Sequence, residues 1–167
     1  SSLMSSQRWR LDGQLALVTG GSAGIGRAIA RELLGFGARV LIAARDGNGL
    51  DAVRIELEEE FPDGEVRTFV SDVSDDEQRR ELLDWVEDIG DGLNILVNNA
   101  GGNLTRPAID YSEDEWRNIF EVNLFSAFEL ARSTYPLLTK HAASCIVNVG
   151  SVSAITHVRS GAPYGMS

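Results

Sequence analysis

Short apolar runs alternate with amphipathic stretches along almost the whole chain, and few folds accommodate that alternation. Five runs read as strands, at about 14–19, 39–44, 65–71, 94–97 and 144–150. Helical spacing of apolar residues marks 24–36, 47–60, 75–90 and 112–141, with a further helix from Ala162. The runs Gln14-Leu15-Ala16-Leu17-Val18 and Asn94-Ile95-Leu96-Val97 do not alternate polar with apolar, which is the pattern of strands covered by helices on both faces. A parallel sheet with crossover helices follows, rather than repeats or separate domains. Right-handed crossovers, with a change of winding direction after the third strand, predict the order 3-2-1-4-5 in a three-layer α/β/α unit. Its ligand crevice opens at the carboxyl ends of strands one and four.

The 167 residues, 43% of them hydrophobic, suffice for one packed core, expected over 8–167. Residues 1–7 read as a tail or cloning remnant, since Ser1-Ser2-Leu3 precede Met4. The net charge of −10, without a basic cluster, argues against nucleic acid and anionic membrane as partners. No apolar stretch approaches the roughly twenty residues that cross a bilayer, and the start lacks a signal-peptide core. The single cysteine, Cys145, lies in the run Cys145-Ile146-Val147-Asn148-Val149, which predicts a buried, inert thiol and a reducing, cytoplasmic setting.

After the first strand comes Gly20-Gly21-Ser22-Ala23-Gly24-Ile25-Gly26, which opens a helix. Glycines there let the backbone turn with positive φ and approach a ligand, while free N–H groups at a helix start favour a phosphate. A glycine turn alone is weak ground, because a ligand-free strand-to-helix turn uses the same residues. The spacing Thr19-Gly20-x-x-x-Gly24-x-Gly26 says more: it resembles the short-chain dehydrogenase/reductase family and not the Gly-x-Gly-x-x-Gly fingerprint. That resemblance implies a Rossmann-type fold and a nicotinamide dinucleotide, and argues against a methyltransferase. It places Gly20, Ser22, Gly24, Ile25 and Gly26 at the cofactor.

A carboxylate ending the second strand suits the ribose hydroxyls of NAD, whereas NADP calls for a cation. The strand ends Ala43-Ala44-Arg45-Asp46. By the resemblance, the acid of NAD-preferring members falls at Ala44, and Arg45 stands where a guanidinium reaches a 2′-phosphate. NADP(H) is therefore preferred over NAD(H), which stays possible. Asp46, twenty residues beyond Gly26, is the competing ribose acid, but Gly47-Asn48-Gly49 follows and a helix-capping role is expected. The resemblance also brings Asp72 and Val73 to the adenine, although Asp72 serves equally as a cap for the helix after it. Asn99, Ala100 and Gly101, after the fourth strand, supply small residues beside the cofactor and amides that stitch strands together.

Reducing a ketone takes a hydride and a proton for the developing alkoxide, so the site needs an acid and a donor aimed at that oxygen. Ser151 and Tyr164, thirteen residues apart, supply them. A phenol has an ordinary pKa of about 10 and needs a nearby cation to act at neutral pH. In the family a lysine stands at Tyr+4, whereas this sequence runs Tyr164-Gly165-Met166-Ser167 and stops, so a truncated chain is expected. The matching relay residue is Asn123, in Glu121-Val122-Asn123-Leu124, which by the resemblance breaks the helix pattern locally, with a buried amide serving the backbone as its bland alternative.

His141 and His157 show no metal-ligand spacing, and the Gly-x-Ser-x-Gly of a hydrolase is absent. His157 is a candidate border of the substrate pocket. Arg8-Trp9-Arg10-Leu11-Asp12-Gly13, the 93–101 run and Tyr135-Pro136-Leu137-Leu138 resemble the tropinone reductase-like branch. The expectation is an oxidoreductase acting on a small carbonyl or alcohol, homo-oligomeric through its 112–141 helix. The alternative is a nucleotide-binding or interaction module without turnover.

Overall fold

The computed structural model describes residues 9–102, 104, 107–151, 153, 155 and 162–167. Arg8, the expected tail at 1–7 and His157 lie outside the described residues. Five parallel strands, β1 (Leu15–Thr19), β2 (Arg39–Ala44), β3 (Val66–Val70), β4 (Ile95–Asn98) and β5 (Cys145–Asn148), form one sheet in the order β3-β2-β1-β4-β5. The helices are α1 (Gly24–Gly35), α2 (Gly47–Glu60), α3 (Asp76–Ile89), α4 (Glu113–Phe120), α5 (Ser126–Leu138) and the short α6 (Ala162–Met166).

Alternation along the strands sends side chains to two separate cores. Ala16, Val18, Val40 and Ile42 pack with Ala30 and Leu34 of α1 and Leu50, Val53 and Leu57 of α2. Leu15, Leu17, Leu41 and Leu96 pack on the other face with Leu82 and Val86 of α3 and Leu130 and Leu137 of α5. Both faces are covered, which is why β1 and β4 read as unbroken apolar runs. Register aligns Leu41, Leu17 and Leu96 in one row across the sheet, all three fully buried.

At its far end that row reaches Ile146 of β5, which is 39% exposed. All four β5 residues are exposed, Cys145 included, so the expected buried thiol is corrected: Cys145 is a free cysteine on an exposed strand. An apolar run specifies a strand, but burial depends on what lies against it. Among the described residues β5 pairs only with β4.

The helix expected over 112–141 is one helical run with a defect. Ser112 and Glu115 form a reciprocal cap at its start, the Ser112 amide donating to Glu115 Oε2 at 2.9 Å. A π-turn at Glu121–Phe125 then separates α4 from α5. Ser126 Oγ donates to the Val122 carbonyl at 2.6 Å, serving a backbone acceptor in the widened turn. The run ends at Leu138, shortly after Pro136.

Candidate functional site

The ends of β1 and β4 are joined by side-chain hydrogen bonds. Thr19, 1% exposed, accepts at Oγ1 from the amides of Asn99 and Ala100, each at 3.1 Å, and donates to the Val97 carbonyl at 3.3 Å. Asn99 Nδ2 donates to the Gly20 carbonyl at 3.0 Å, which ties the glycine turn to the Asn-Ala-Gly segment. Asn98 reaches the other way, donating to Asn148 Oδ1 at 2.9 Å and to the Ala127 carbonyl at 3.2 Å. The doubled asparagine thus stitches β1 to β4 and β4 to β5.

Close approach governs two glycines of the turn. Gly20 has φ +65°, with Ala100 backbone atoms about a Cβ contact away. A Cβ on Gly26 would stand 2.3 Å from the Gly20 carbonyl oxygen and 2.4 Å from Asn99 Nδ2. Gly26 is therefore packed against Gly20 and Asn99, and neither it nor Gly24 lines either of the two clefts described next. The N-cap of α1, Ala23, offers no side-chain hydrogen bond, and the first turn carries no acid. By contrast α3 begins with Asp75 capping two amides and with Asp76 and Glu77 in its first turn.

Two clefts open at this edge of the sheet. The larger, about 660 Å³, is bounded by Gly20 and Ser22 on one side, Arg45 and Asp46 beyond β2, and Asp72 and Val73 beyond β3. The smaller, about 420 Å³, contains Ile25, Asn123, Ser151 and Tyr164. They share Asn99, Ala100 and Gly101, so the two adjoin.

Arg45 is exposed and, among the described residues, has no hydrogen-bond or ion-pair partner. Arg27, Arg31, Arg39, Arg54 and Arg132 are all held by carboxylates. Asp46 occupies the N-cap position of α2, but its side chain makes no capping hydrogen bond, so the expected role is corrected. The alternative of Asp72 as a cap is also set aside. Its Oδ1 accepts from the Ser74 amide at 3.0 Å and hydroxyl at 2.6 Å, while Asp75, directly before the helix, does the capping.

Asn123 sits at the middle of the π-turn. Its Oδ1 accepts from the Gly102 amide at 2.7 Å, and its Nδ2 donates to the Gly102 carbonyl at 2.9 Å and to Ser167 Oγ at 3.0 Å. Ser167 Oγ in turn donates to the Tyr164 carbonyl at 3.1 Å. The neighbouring Val122 borders the larger cleft and Asn123 the smaller, so consecutive residues serve both. Ser151 Oγ accepts from the Ser153 amide and donates to its hydroxyl, both at 3.1 Å. Sequence reasoning did not identify Val122, Ser71 or Val149 as cleft residues; position beside Asn123, Asp72 and Gly150 was the available signal.

Residues 14–167 match the family described as short chain dehydrogenase. A tropinone reductase homolog of Arabidopsis thaliana is 42% identical over 160 residues, covering 95% of this chain and 59% of that protein. The chain thus spans about three fifths of the length of its curated relatives. Among solved structures, the Pseudomonas aeruginosa RhlG/NADP active-site complex superposes with a TM-score of 0.88 at 33% identity, covering 95% of this chain and 62% of that one. The NADPH-bound short chain oxidoreductase of Pseudomonas aeruginosa PAO1, which contains an atypical catalytic center, gives 0.89 at 32% with the same coverage. With the strand order, the glycine turn and the stitched asparagines in one arrangement, the chain belongs to the short-chain dehydrogenase family, in its tropinone reductase-like branch.

Proposed function

We propose that the protein is an NADP(H)-dependent oxidoreductase that interconverts a ketone and a secondary alcohol. One observation carries this reading: a cleft with an unpaired arginine adjoins a cleft holding a serine, a tyrosine and an asparagine. The residues present fit a dinucleotide. Crowding at Gly26 holds the turn against the Asn99 side chain, the first turn of α1 has N–H groups free of acids, and Arg45 is available for a 2′-phosphate. The NADP and NADPH complexes among the structural neighbours support the same cofactor.

Gly20 and Ser22 would hold the pyrophosphate, Arg45 the 2′-phosphate, and Asp72 and Val73 the adenine. When bound, the reduced nicotinamide supplies the hydride. The Tyr164 phenol donates its proton to the developing alkoxide, and the Ser151 hydroxyl donates a hydrogen bond to the same oxygen. In the oxidative direction Tyr164 accepts that proton. Such a phenol requires a nearby positive charge to act at neutral pH. Asn123 holds Gly102 and, through Ser167, the backbone at Tyr164, keeping the acid in place against the cleft.

The test is turnover of a panel of ketones by the full-length protein with NADPH. Tyr164→Phe is expected to abolish reduction while NADPH affinity stays within about threefold. Retained reduction in that variant rules out the proton-donor role.

We also propose a homo-oligomer assembled through α5 and the turn before it. Leu124, Phe128 and Tyr135 recur at helical spacing and are 42%, 62% and 64% exposed, an apolar stripe that supports such an assembly.

A further inference from the structure

The wall formed by Asp72 and Val73 is held from behind by a side chain outside both clefts. Arg79 lies on the first turns of α3, and its side chain is only 7% exposed. Its Nη1 donates to the Val73 carbonyl at 2.6 Å, and Nη2 donates to Asp76 Oδ1. The Asp76 carboxylate is 86% exposed and so well hydrated on its own. The guanidinium thus joins the backbone of the 71–75 turn to the Asp76 carboxylate, with Glu129 of α5 close enough to feel its charge. Val73 itself is 5% exposed, and a carbonyl in such a setting is costly to leave without a donor.

The same turn has a second tether from the same helix. The Asp72 amide donates to Gln78 Oε1 at 2.8 Å, and Ser71 Oγ donates to the Gln78 carbonyl at 3.3 Å. Gln78 thus fixes the entry to the turn and Arg79 its far side, with Asp72 and Val73 presented to the cleft between them. A guanidinium suits this place, because it spans a backbone carbonyl and a carboxylate with one rigid fork.

We propose that Arg79 is a positioning residue for the adenine end of the cofactor site, acting through the Val73 carbonyl without touching the ligand. The inference rests on the cofactor reading above. Its consequence is a selective one. Loss of Arg79 weakens ligands that carry the adenosine half and spares those that carry only the nicotinamide half.

The experiment is calorimetric titration of the full-length protein with NADPH, with 2′,5′-ADP and with reduced nicotinamide mononucleotide. Arg79→Met is expected to weaken NADPH and 2′,5′-ADP about tenfold, leaving the mononucleotide within twofold. Arg79→Lys, which keeps one donor to the carbonyl, is expected to recover most of the loss. Arg80→Met, removing an exposed neighbour that among the described residues bonds only the Asp76 carbonyl, is expected to match wild type. Should the methionine variant fail to fold, Arg79→Leu, which likewise has no donor, takes its place with the same expectation.

A folded Arg79 variant that binds 2′,5′-ADP like wild type overturns the proposal. So does an equal loss for both halves of the cofactor. Wild-type protein that binds neither NADPH nor 2′,5′-ADP overturns the cofactor reading itself, and the inference with it. That outcome is recognised before any variant is made.

Discussion

At the residue scale, the candidate site depends on a few side chains whose surroundings leave little freedom. Gly26 is one, since an added methyl meets a backbone oxygen and an amide nitrogen that cannot both retreat. Gly26→Ala is expected to cost about 1–3 kcal/mol in chemical denaturation and to weaken NADPH binding; unchanged stability would show that the turn relaxes freely. Asn123 is another, with both atoms of its amide engaged by Gly102. Asn123→Asp keeps the acceptor but loses the donor, and a larger fall in kcat than in NADPH affinity is expected. That the glycine turn and the asparagine, serine and tyrosine positions gather at one sheet edge was legible in the sequence, because the segments follow parallel strands. The side-chain role of Asp46 was not, because a capping position and a capping hydrogen bond are separate facts. Asp72 shows the same limit: two acids three residues apart, Asp72 and Asp75, read alike until the backbone decides which stands at the helix start.

At the scale of elements, the sheet order followed from hydrophobic runs and crossover handedness, and no strand or helix bound fell more than three residues from expectation. What periodicity could not reveal was context. The β5 run is as apolar as β4, yet β4 is buried on both faces and β5 is exposed. The π-turn is similarly invisible to a 3.6-residue pattern, because one extra residue in a turn shifts the apolar face without ending the helix. Burial at the sheet centre leads to a quantitative expectation. Leu17→Ala, at a fully buried position in the aligned leucine row, is expected to cost about 2–5 kcal/mol. Ile146→Ala, at the exposed end of that row, is expected to cost well under half as much in the same urea titration, and equal costs would contradict the assignment of the core.

At the scale of the whole molecule, charge and assembly carry the remaining expectations. Glu65 lies between Arg39 and Arg67, and its hydrogen bond to Arg39 holds its carboxyl below the usual range, against a smaller opposing effect of burial. The unfolded chain therefore binds a proton there at a higher pH than the folded one. This contribution is fully present above the ordinary carboxylate pKa and is lost as pH falls through the lower folded value. Glu65→Gln should lower the melting temperature at neutral pH slightly, by the equivalent of about 0.5 kcal/mol for a pair still partly open to solvent, and should flatten the acid limb of the stability curve. A parallel shift at every pH would count against the pair. Light scattering addresses the proposed assembly: full-length protein is expected as an oligomer, and Phe128→Glu, placing a charge in the exposed stripe, is expected to shift it toward smaller species.

The decisive measurement is a paired titration of full-length protein and its Arg45→Ala variant with NADPH and NADH. Wild type is expected to bind NADPH at least about tenfold more tightly, and the variant to bind both alike through loss of NADPH affinity alone. Equal affinities in wild type, or a preference that survives removal of Arg45, would contradict the reading of the larger cleft as an NADP site.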